Sequence, residues 1–179
     1  MDYTIIRSNR KTAAVQVTED GRVLVRCPNR TTDAEAKKIL DAHKSWIEKQ
    51  LRTVENRPKL PPLTSAQIYD LANRMIPILE RKLPHYAALL GVSYGNVTVR
   101  NQRTLWGSCS GKGNLNFNCL LMLAPETVAD YVIIHELCHL VQHNHSKAFW
   151  GLVAQTMPDY AAYRQWLKTN GKSLIGRLP

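Results

Sequence analysis

Four of the six histidines in this 179-residue chain lie within eleven positions, from His135 to His145. They belong to the segment YVIIHELCHLVQHNH, in which an apolar run leads directly into the first histidine and one acid, Glu136. Polar and charged side chains are costly to bury unless they have partners. The segment therefore predicts a buried helix whose histidines and acid are held by a ligand or by one another.

On an α-helix, His135 and His139 lie one turn apart on the same face, so two imidazoles can bind one ion. Glu136 follows the first histidine, and the three residues form the pattern H-E-x-x-H. In that pattern the glutamate acts as a general base and is not a metal ligand. The alternative is a pair of core histidines satisfied by hydrogen bonds. The apolar context and the adjacent acid favour the metal site.

A catalytic zinc takes three protein ligands and keeps one position open for water. On a straight helix His143 lies roughly 12 Å from His135 along the axis, which is too far for one ion. His145 is the better third ligand, because Asn144 tolerates the left-handed conformation that ends helices and lets the chain reverse. We therefore predict one Zn²⁺ bound by His135, His139 and His145, with His143 as a bystander.

Such a site predicts hydrolysis of an acyl bond, and we expect a peptide bond as the substrate. Glu136 would take a proton from a metal-activated water and pass it to the leaving amine. Three imidazoles with a glutamate base suit zinc among the divalent metals. Trp106 and Arg103 are candidates for a substrate cleft, although Trp106 also fits a core position. Candidates for the oxyanion stabiliser are Tyr160, Tyr163 and Arg103.

The first third of the chain predicts strands followed by a helix. Residues 3–28 alternate in hydrophobicity, and TAAVQV and RVLVRCP flank a turn closed by Gly21, as in a β-hairpin. A capping box of Thr32 and Glu35 then opens a helix that we expect to run to about Arg52.

Three prolines in NRPKLPPL predict a linker after that helix. We therefore expect N-terminal strands plus a helix over 1–57, a linker over 58–64 and a second domain over 65–179. In the second domain a capping box at Thr64 and a stop at Gly91 bound a helix. Further patterns predict strands in VTVRNQ, TLWGSCS and LNFNCLLML, the H-E-x-x-H helix from Pro125 to about His143, and helices over 146–156 and 159–169.

The chain carries 24 Lys and Arg against 14 Asp and Glu, a net charge of +10. A basic surface attracts nucleic acid or acidic polypeptide, so nucleic acid is a possible partner. The alternative function is a basic, nucleic-acid-associated binding module with a structural zinc site. Glu136 favours the enzyme, because a structural site needs no base and closes with four protein ligands.

The sequence also predicts the cellular compartment of the protein. No apolar run approaches the roughly 20 residues that span a bilayer, and the N-terminus lacks the pattern of a secretion signal. The four cysteines have no C-x-x-C spacing, which is typical of free thiols in a reducing compartment. We therefore expect a cytoplasmic protein with no membrane segment and no cysteine ligand.

Several motifs together resemble one known family. WGSCS, GNLNFN, YVIIHELCHL and NHSKAFW are similar to the YgjP-like zinc metallopeptidases, distant relatives of the SprT-like proteases, and the likeness extends to the N-terminal strands. The resemblance implies a minimal zincin-like α+β domain, with a small antiparallel sheet beside the H-E-x-x-H helix, preceded by an N-terminal β-hairpin and helix. It implies zinc on His135, His139 and His145, with Glu136 as base.

The resemblance also implies an extended polypeptide substrate that lies along a sheet edge, offered by TLWGSCS or NLNFN. Members of the family tend to carry a basic residue just before the tryptophan, where this chain has Leu105. The metal motif itself does not depart from the family pattern.

Overall fold

The computed structural model describes residues 2–18, 20–56 and 60–179. The chain forms two compact units, Met1–Pro58 and Lys59–Pro179. Each unit combines a three-stranded sheet with helices, which confirms the predicted α+β class.

The division into 1–57, 58–64 and 65–179 stays a prediction. Residues 58 and 59 of the expected linker, and residue 57 before it, lie outside the described residues. The stretch from 60 to 64 contains no helix or strand.

The first unit is a sheet with two helices: β1 (Tyr3–Ser8), β2 (Ala14–Val17), β3 (Val23–Pro28), α1 (Asp33–Ala42) and α2 (Lys44–Glu55). The central strand is β3, which pairs antiparallel with β2 and parallel with β1. The β2–β3 pairing is the predicted hairpin. Gly21 adopts a φ of 82°, a left-handed value that glycine reaches without steric cost. Val23 and Val25 pack with Ala36 and Ile47 in the core of this unit.

The helix predicted from Thr32 to about Arg52 is two helices in the structure. The capping box of Thr32 and Glu35 forms, but the helix breaks at His43, whose φ and ψ are −108° and 11°. Nδ1 of the His43 ring forms a hydrogen bond with the Ile39 carbonyl oxygen at 2.8 Å. The backbone N–H of His43 donates instead to the Leu40 carbonyl. In a continuous helix the backbone N–H of His43 would donate to the Ile39 carbonyl. The His43 side chain occupies that acceptor, so the first helix ends and a second begins one residue later.

The second unit contains a long α-helix, a sheet, a short 3₁₀ helix and three further α-helices: α3 (Ser65–Leu90), β4 (Val97–Arg100), β5 (Gly107–Cys109), β6 (Leu115–Asn118), the 3₁₀ helix (Cys119–Leu123), α4 (Glu126–Cys138), α5 (Lys147–Thr156) and α6 (Tyr160–Ile175). The central strand β6 pairs antiparallel with β5, as the GKGN turn predicts. It pairs parallel with β4, so the sheet is mixed rather than purely antiparallel. Two chain reversals separate β4 from β6 and give them the same direction.

The core of the second unit surrounds α4. Ile133, Ile134 and Leu137 are completely buried, and they pack with Phe117 of β6 and Leu83 of α3. Side chains on nearly every face of α4 are buried. A helix that is apolar around its circumference is stable only inside a core, so the neighbouring elements must enclose it.

Local signals in the sequence determine both ends of α3, whereas α6 runs past its predicted end. The capping box of Thr64 and Gln67 and the left-handed Gly91 bound α3 as predicted. The expected end of the last helix at 169 is wrong, because α6 continues through Gly171 to Ile175. A Cβ at position 171 would lie 2.9 Å from Cζ2 of Trp106, so this glycine makes room for an indole rather than ending the helix.

The structure also bears on the cysteines and on the expected absence of a membrane segment. All four cysteines are free, and burial raises the pKa of Cys138 to about 11. Within the described chain, no helix combines the length and the apolar character that crossing a bilayer requires.

The contact between position 171 and Trp106 predicts a stability effect. Gly171→Ala should lower the free energy of unfolding by about 1–3 kcal/mol through overpacking, although alanine is the better helix former. The matched control is Gly151→Ala in α5, where a Cβ meets nothing within 4 Å. That change should raise the free energy of unfolding by about 0.5–1 kcal/mol. Urea unfolding of both variants measures the difference, and equal stabilities would contradict the role of the indole.

Candidate metal centre

The end of α4 and the loop after it bring three histidines together. His135 lies in the last turn of α4, His139 follows as its C-cap, and His145 lies in the loop before α5. One ring nitrogen from each lies within 4.8 Å of the others, and the Nε2 atoms of His135 and His145 are 3.0 Å apart. Two nitrogens at about 2.0–2.1 Å from one tetrahedral ion lie roughly 3.4 Å apart. Small ring movements therefore suffice for the three to share one ion.

The chain reverses toward the site by a different route from the predicted one. The helix ends at Cys138 rather than near His143, and Asn144 is not left-handed, since no described residue other than glycine has a positive φ. Asn144 Oδ1 instead accepts a hydrogen bond from the backbone of Ser146. Ser146 then caps α5 by accepting from the Phe149 N–H. His143 is exposed and lies outside the histidine group.

Second partners orient two of the rings. Nδ1 of His139 lies 3.0 Å from the Gln142 carbonyl, so an N–H there donates to that oxygen. Nδ1 of His135 lies 3.5 Å from the Tyr131 hydroxyl. A partner on Nδ1 leaves Nε2 free as the metal ligand, the arrangement common around protein-bound zinc. The donor set therefore fits a zinc ion.

Burial keeps the cluster in the form that binds metal. The pKa of His135 is lowered to about 3, first by burial and then by the neighbouring charges of His139, His145 and Arg164. Burial also lowers the pKa of His139. Neutral imidazoles are the species that ligate metals, so no proton has to leave these two rings near neutral pH.

Aromatic side chains form the back of the site. Phe149 is fully buried, and its ring centroid lies 4.8 Å from His135 and 4.5 Å from His139. In the sequence, the apolar character of this position in the helix that follows the last histidine predicts packing behind the rings.

A second aromatic layer holds a cation beside the cluster. Trp150 stacks on His145 at 5.6 Å and on Tyr160 at 5.2 Å. The guanidinium carbon of Arg164 lies 4.5 Å from the Trp150 ring centroid, a cation–π contact. Arg164 was not among the residues expected from the sequence. Arg164 lies four residues after Tyr160 on the same helix, a spacing that places the two side chains near each other. That spacing does not predict the contact of Arg164 with Trp150 of the preceding helix.

Glu136 is buried against the sheet, with 5% of its surface exposed. A Cβ at Gly107 would lie 2.7 Å from both Cγ and Oε1 of Glu136, so the glycine in WGSCS leaves space for the acid. Burial raises the pKa of Glu136 to about 8. A divalent cation nearby would favour the carboxylate and lower that pKa again.

The other predicted residues lie in different settings. Trp106 is half-buried against Gly171 and the core, and Arg103 is exposed between β4 and β5. Tyr163 is half-buried and packs against the same core. The proposed roles of Trp106 and Arg103 in a substrate cleft stay predictions.

Three converging imidazoles with a buried acid beside them are the arrangement that metal-dependent hydrolases use. The sequence matches the family described as YgjP-like, metallopeptidase domain, over residues 11–73 and 64–170. The chain belongs to the YgjP-like family. This confirms the enzyme class predicted from the sequence, a zinc metallopeptidase and thus a hydrolase.

Two solved structures resemble part of the chain. One is the metallopeptidase zymogen of Pyrococcus abyssi abylysin, which is 26% identical with a TM-score of 0.48, over 51% of this chain and 93% of that chain. The other is the metallopeptidase zymogen of Methanocaldococcus jannaschii jannalysin, which is 16% identical with a TM-score of 0.46, over 51% and 95%. No curated protein matches the sequence.

The arrangement of the histidines predicts the metal content of two variants. His145→Ala should reduce bound zinc from near one ion per chain to near none after dialysis, because two ligands hold zinc poorly. His143→Ala is the matched control and should keep the ion. Elemental analysis measures both. Zinc that remains in His145→Ala and disappears from His143→Ala would contradict the assignment.

The contact between Glu136 and Gly107 predicts a variant that separates metal binding from turnover. Gly107→Ala should displace the carboxylate by roughly an ångström and lower kcat about 100-fold. Its zinc content should stay near that of the wild type. Gly111→Ala is the control, because a Cβ there meets nothing within 4 Å. Peptide turnover on metal-loaded samples measures the effect, and full activity in Gly107→Ala would contradict it.

Proposed function

We propose that this protein hydrolyses peptide bonds at a single zinc ion held by His135, His139 and His145, with Glu136 as the general base. The observation that supports the proposal most directly is the convergence of three imidazole nitrogens at the end of α4. The family match supports the same reaction class.

When bound at these nitrogens, zinc supplies Lewis-acid chemistry that polarises a carbonyl and makes a water acidic near neutral pH. The protein supplies proton transfer. Glu136 accepts the proton of the attacking water and returns it to the leaving amine. Efficient transfer in both directions needs a pKa near the working pH. Burial raises the pKa of Glu136, and a bound cation would counter that rise.

The surroundings hold the reacting groups in place. The partners of Nδ1, the Gln142 carbonyl for His139 and the Tyr131 hydroxyl for His135, orient the two rings. Phe149 closes the rear of the site and excludes water from that side. Rigid neighbours of this kind maintain ligand geometry through the reaction.

The proposed substrate is an extended stretch of polypeptide that adds to the free edge of β5. In the described sheet β5 pairs only with β6, so its other edge has no strand beside it. Gly107 is the first residue of β5 and contacts Glu136, so this edge begins at the catalytic acid. Backbone hydrogen bonds to an edge strand orient a peptide without demanding a particular sequence.

The second candidate function is a basic binding module that contacts nucleic acid, and the net charge of +10 favours it. A module that contacts phosphates should lose affinity for DNA steeply as salt rises. A peptidase with an incidental basic surface should bind DNA weakly at every salt concentration. A salt titration of DNA binding therefore separates the two candidates.

Replacement of the base tests the proposed reaction. Glu136→Gln loaded with zinc should lose about 100-fold or more of its turnover, since a glutamine cannot accept the proton. Its zinc content should remain near one ion per chain. Glu80→Gln, an exposed acid on α3, is the charge-matched control and should keep full activity. Hydrolysis of a labelled casein measures turnover, and comparable rates in Glu136→Gln and wild type would exclude Glu136 as the base.

A further inference from the structure

One ridge of α6 carries three cations in a row. Arg164, Lys168 and Lys172 follow Tyr160 at intervals of four residues, so the four side chains form one continuous row that turns by about 40° per step around the helix axis. All three cations are exposed, and α6 contains no acidic residue. Throughout the described part of the chain, no carboxylate lies within ion-pair distance of any of the three. We call Arg164, Lys168 and Lys172 the basic ridge.

The basic ridge begins at the metal centre. Arg164 lies over Trp150, and Trp150 stacks on His145, so one aromatic ring separates the first cation from a candidate ligand. Tyr160 stacks on the same tryptophan. From Arg164 the ridge leads away from the site by about 6 Å per step, so Lys172 lies roughly 12 Å further along the helix.

The charges of the ridge are unbalanced within the protein. Like charges four residues apart destabilise a helix, and here two such pairs follow one another. The stacking of Arg164 on Trp150 also fixes the position of its guanidinium before any partner arrives, which lowers the entropy cost of binding an anion. Both features fit a surface that receives an external anionic partner.

The spacing of the ridge fits an extended acidic peptide. In an extended chain, side chains on one face recur about every 6.6 Å, close to the step of about 6 Å between ridge cations. Carboxylates at alternate positions can therefore meet successive cations. Polypeptide is also the substrate that the proposed reaction requires at the adjoining metal centre.

We infer that the basic ridge binds an acidic stretch of the polypeptide substrate and thereby gives this enzyme a preference for chains with Asp or Glu at alternate positions next to the cleaved region. The inference rests on the proposed peptidase function for the identity of the partner. Binding itself does not need turnover, so the two can be tested separately.

The test measures binding by zinc-loaded Glu136→Gln protein, which should hold substrate without cleaving it. The probes are fluorescein-labelled peptides of about twelve residues with Glu, Gln or Lys at alternate positions. Fluorescence anisotropy should show roughly tenfold tighter binding of the Glu peptide than of the Gln peptide at low salt. The difference should shrink as salt shortens the screening length.

Charge reversal assigns the effect to the ridge. Lys168→Glu with Lys172→Glu, in the same background, should abolish the preference for the Glu peptide and favour the Lys peptide. Both lysines are exposed, so the fold does not depend on them. The control is Lys37→Glu with Lys38→Glu on α1 of the first unit, which changes net charge equally. The control should keep the original preference.

Three results would overturn the inference. The first is equal binding of the Glu and Gln peptides by the unreversed protein. The second is a Glu preference that survives reversal of Lys168 and Lys172. The third is tighter binding of a single-stranded oligonucleotide than of the Glu peptide, lost on reversal, which would assign the ridge to nucleic acid.

Hydrolysis by the wild-type enzyme separates this inference from the proposed function. Faster cleavage of a Glu-containing peptide than of its Gln counterpart, lost in Lys168→Glu with Lys172→Glu, supports both. Cleavage without any acidic preference would overturn the inference and leave the peptidase proposal intact. Ridge-dependent binding with no cleavage of any peptide would overturn the peptidase proposal and retain the ridge as an acidic-peptide site.

Discussion

The burial of α4 is the constraint that organises the second unit. The helix supplies core side chains such as Ile134 and Leu137 on most of its surface, yet it also carries Glu136 and His135. The rest of the unit must therefore enclose the helix while leaving space for two polar groups. Gly107 has no side chain and therefore leaves space for Glu136. Phe149 packs its aromatic ring against His135. Polar groups inside a core are stable only with such dedicated neighbours.

Features that depend on a few consecutive residues could be predicted from the sequence. The capping boxes at Thr32 and Thr64 and the left-handed Gly91 are local, and each forms as expected. The break at His43 and the continuation through Gly171 could not be predicted in the same way. The first depends on which carbonyl a ring nitrogen bonds, and the second on an indole from a distant segment.

The candidate site shows the same division. The i, i+4 spacing of His135 and His139 is a helical property and places both rings together. His145 joins them as expected, but through the turn formed by Asn144 and Ser146 rather than through a left-handed residue. Arg164 could not be found, because its position depends on stacking against a tryptophan of another helix. Contacts between side chains of different helices produce no periodic pattern in a single sequence, so the sequence does not predict them.

Two adjacent residues connect α6 to Glu136. The indole of Trp106 fits against Gly171 in α6, and the next residue, Gly107, lies close against Glu136. Close-packed interiors transmit small displacements because they contain little free volume to absorb them. A tilt of α6 would therefore shift the indole, then the strand, and finally the carboxylate. The helix that carries the basic ridge is in this way mechanically coupled to Glu136 through the single indole ring of Trp106.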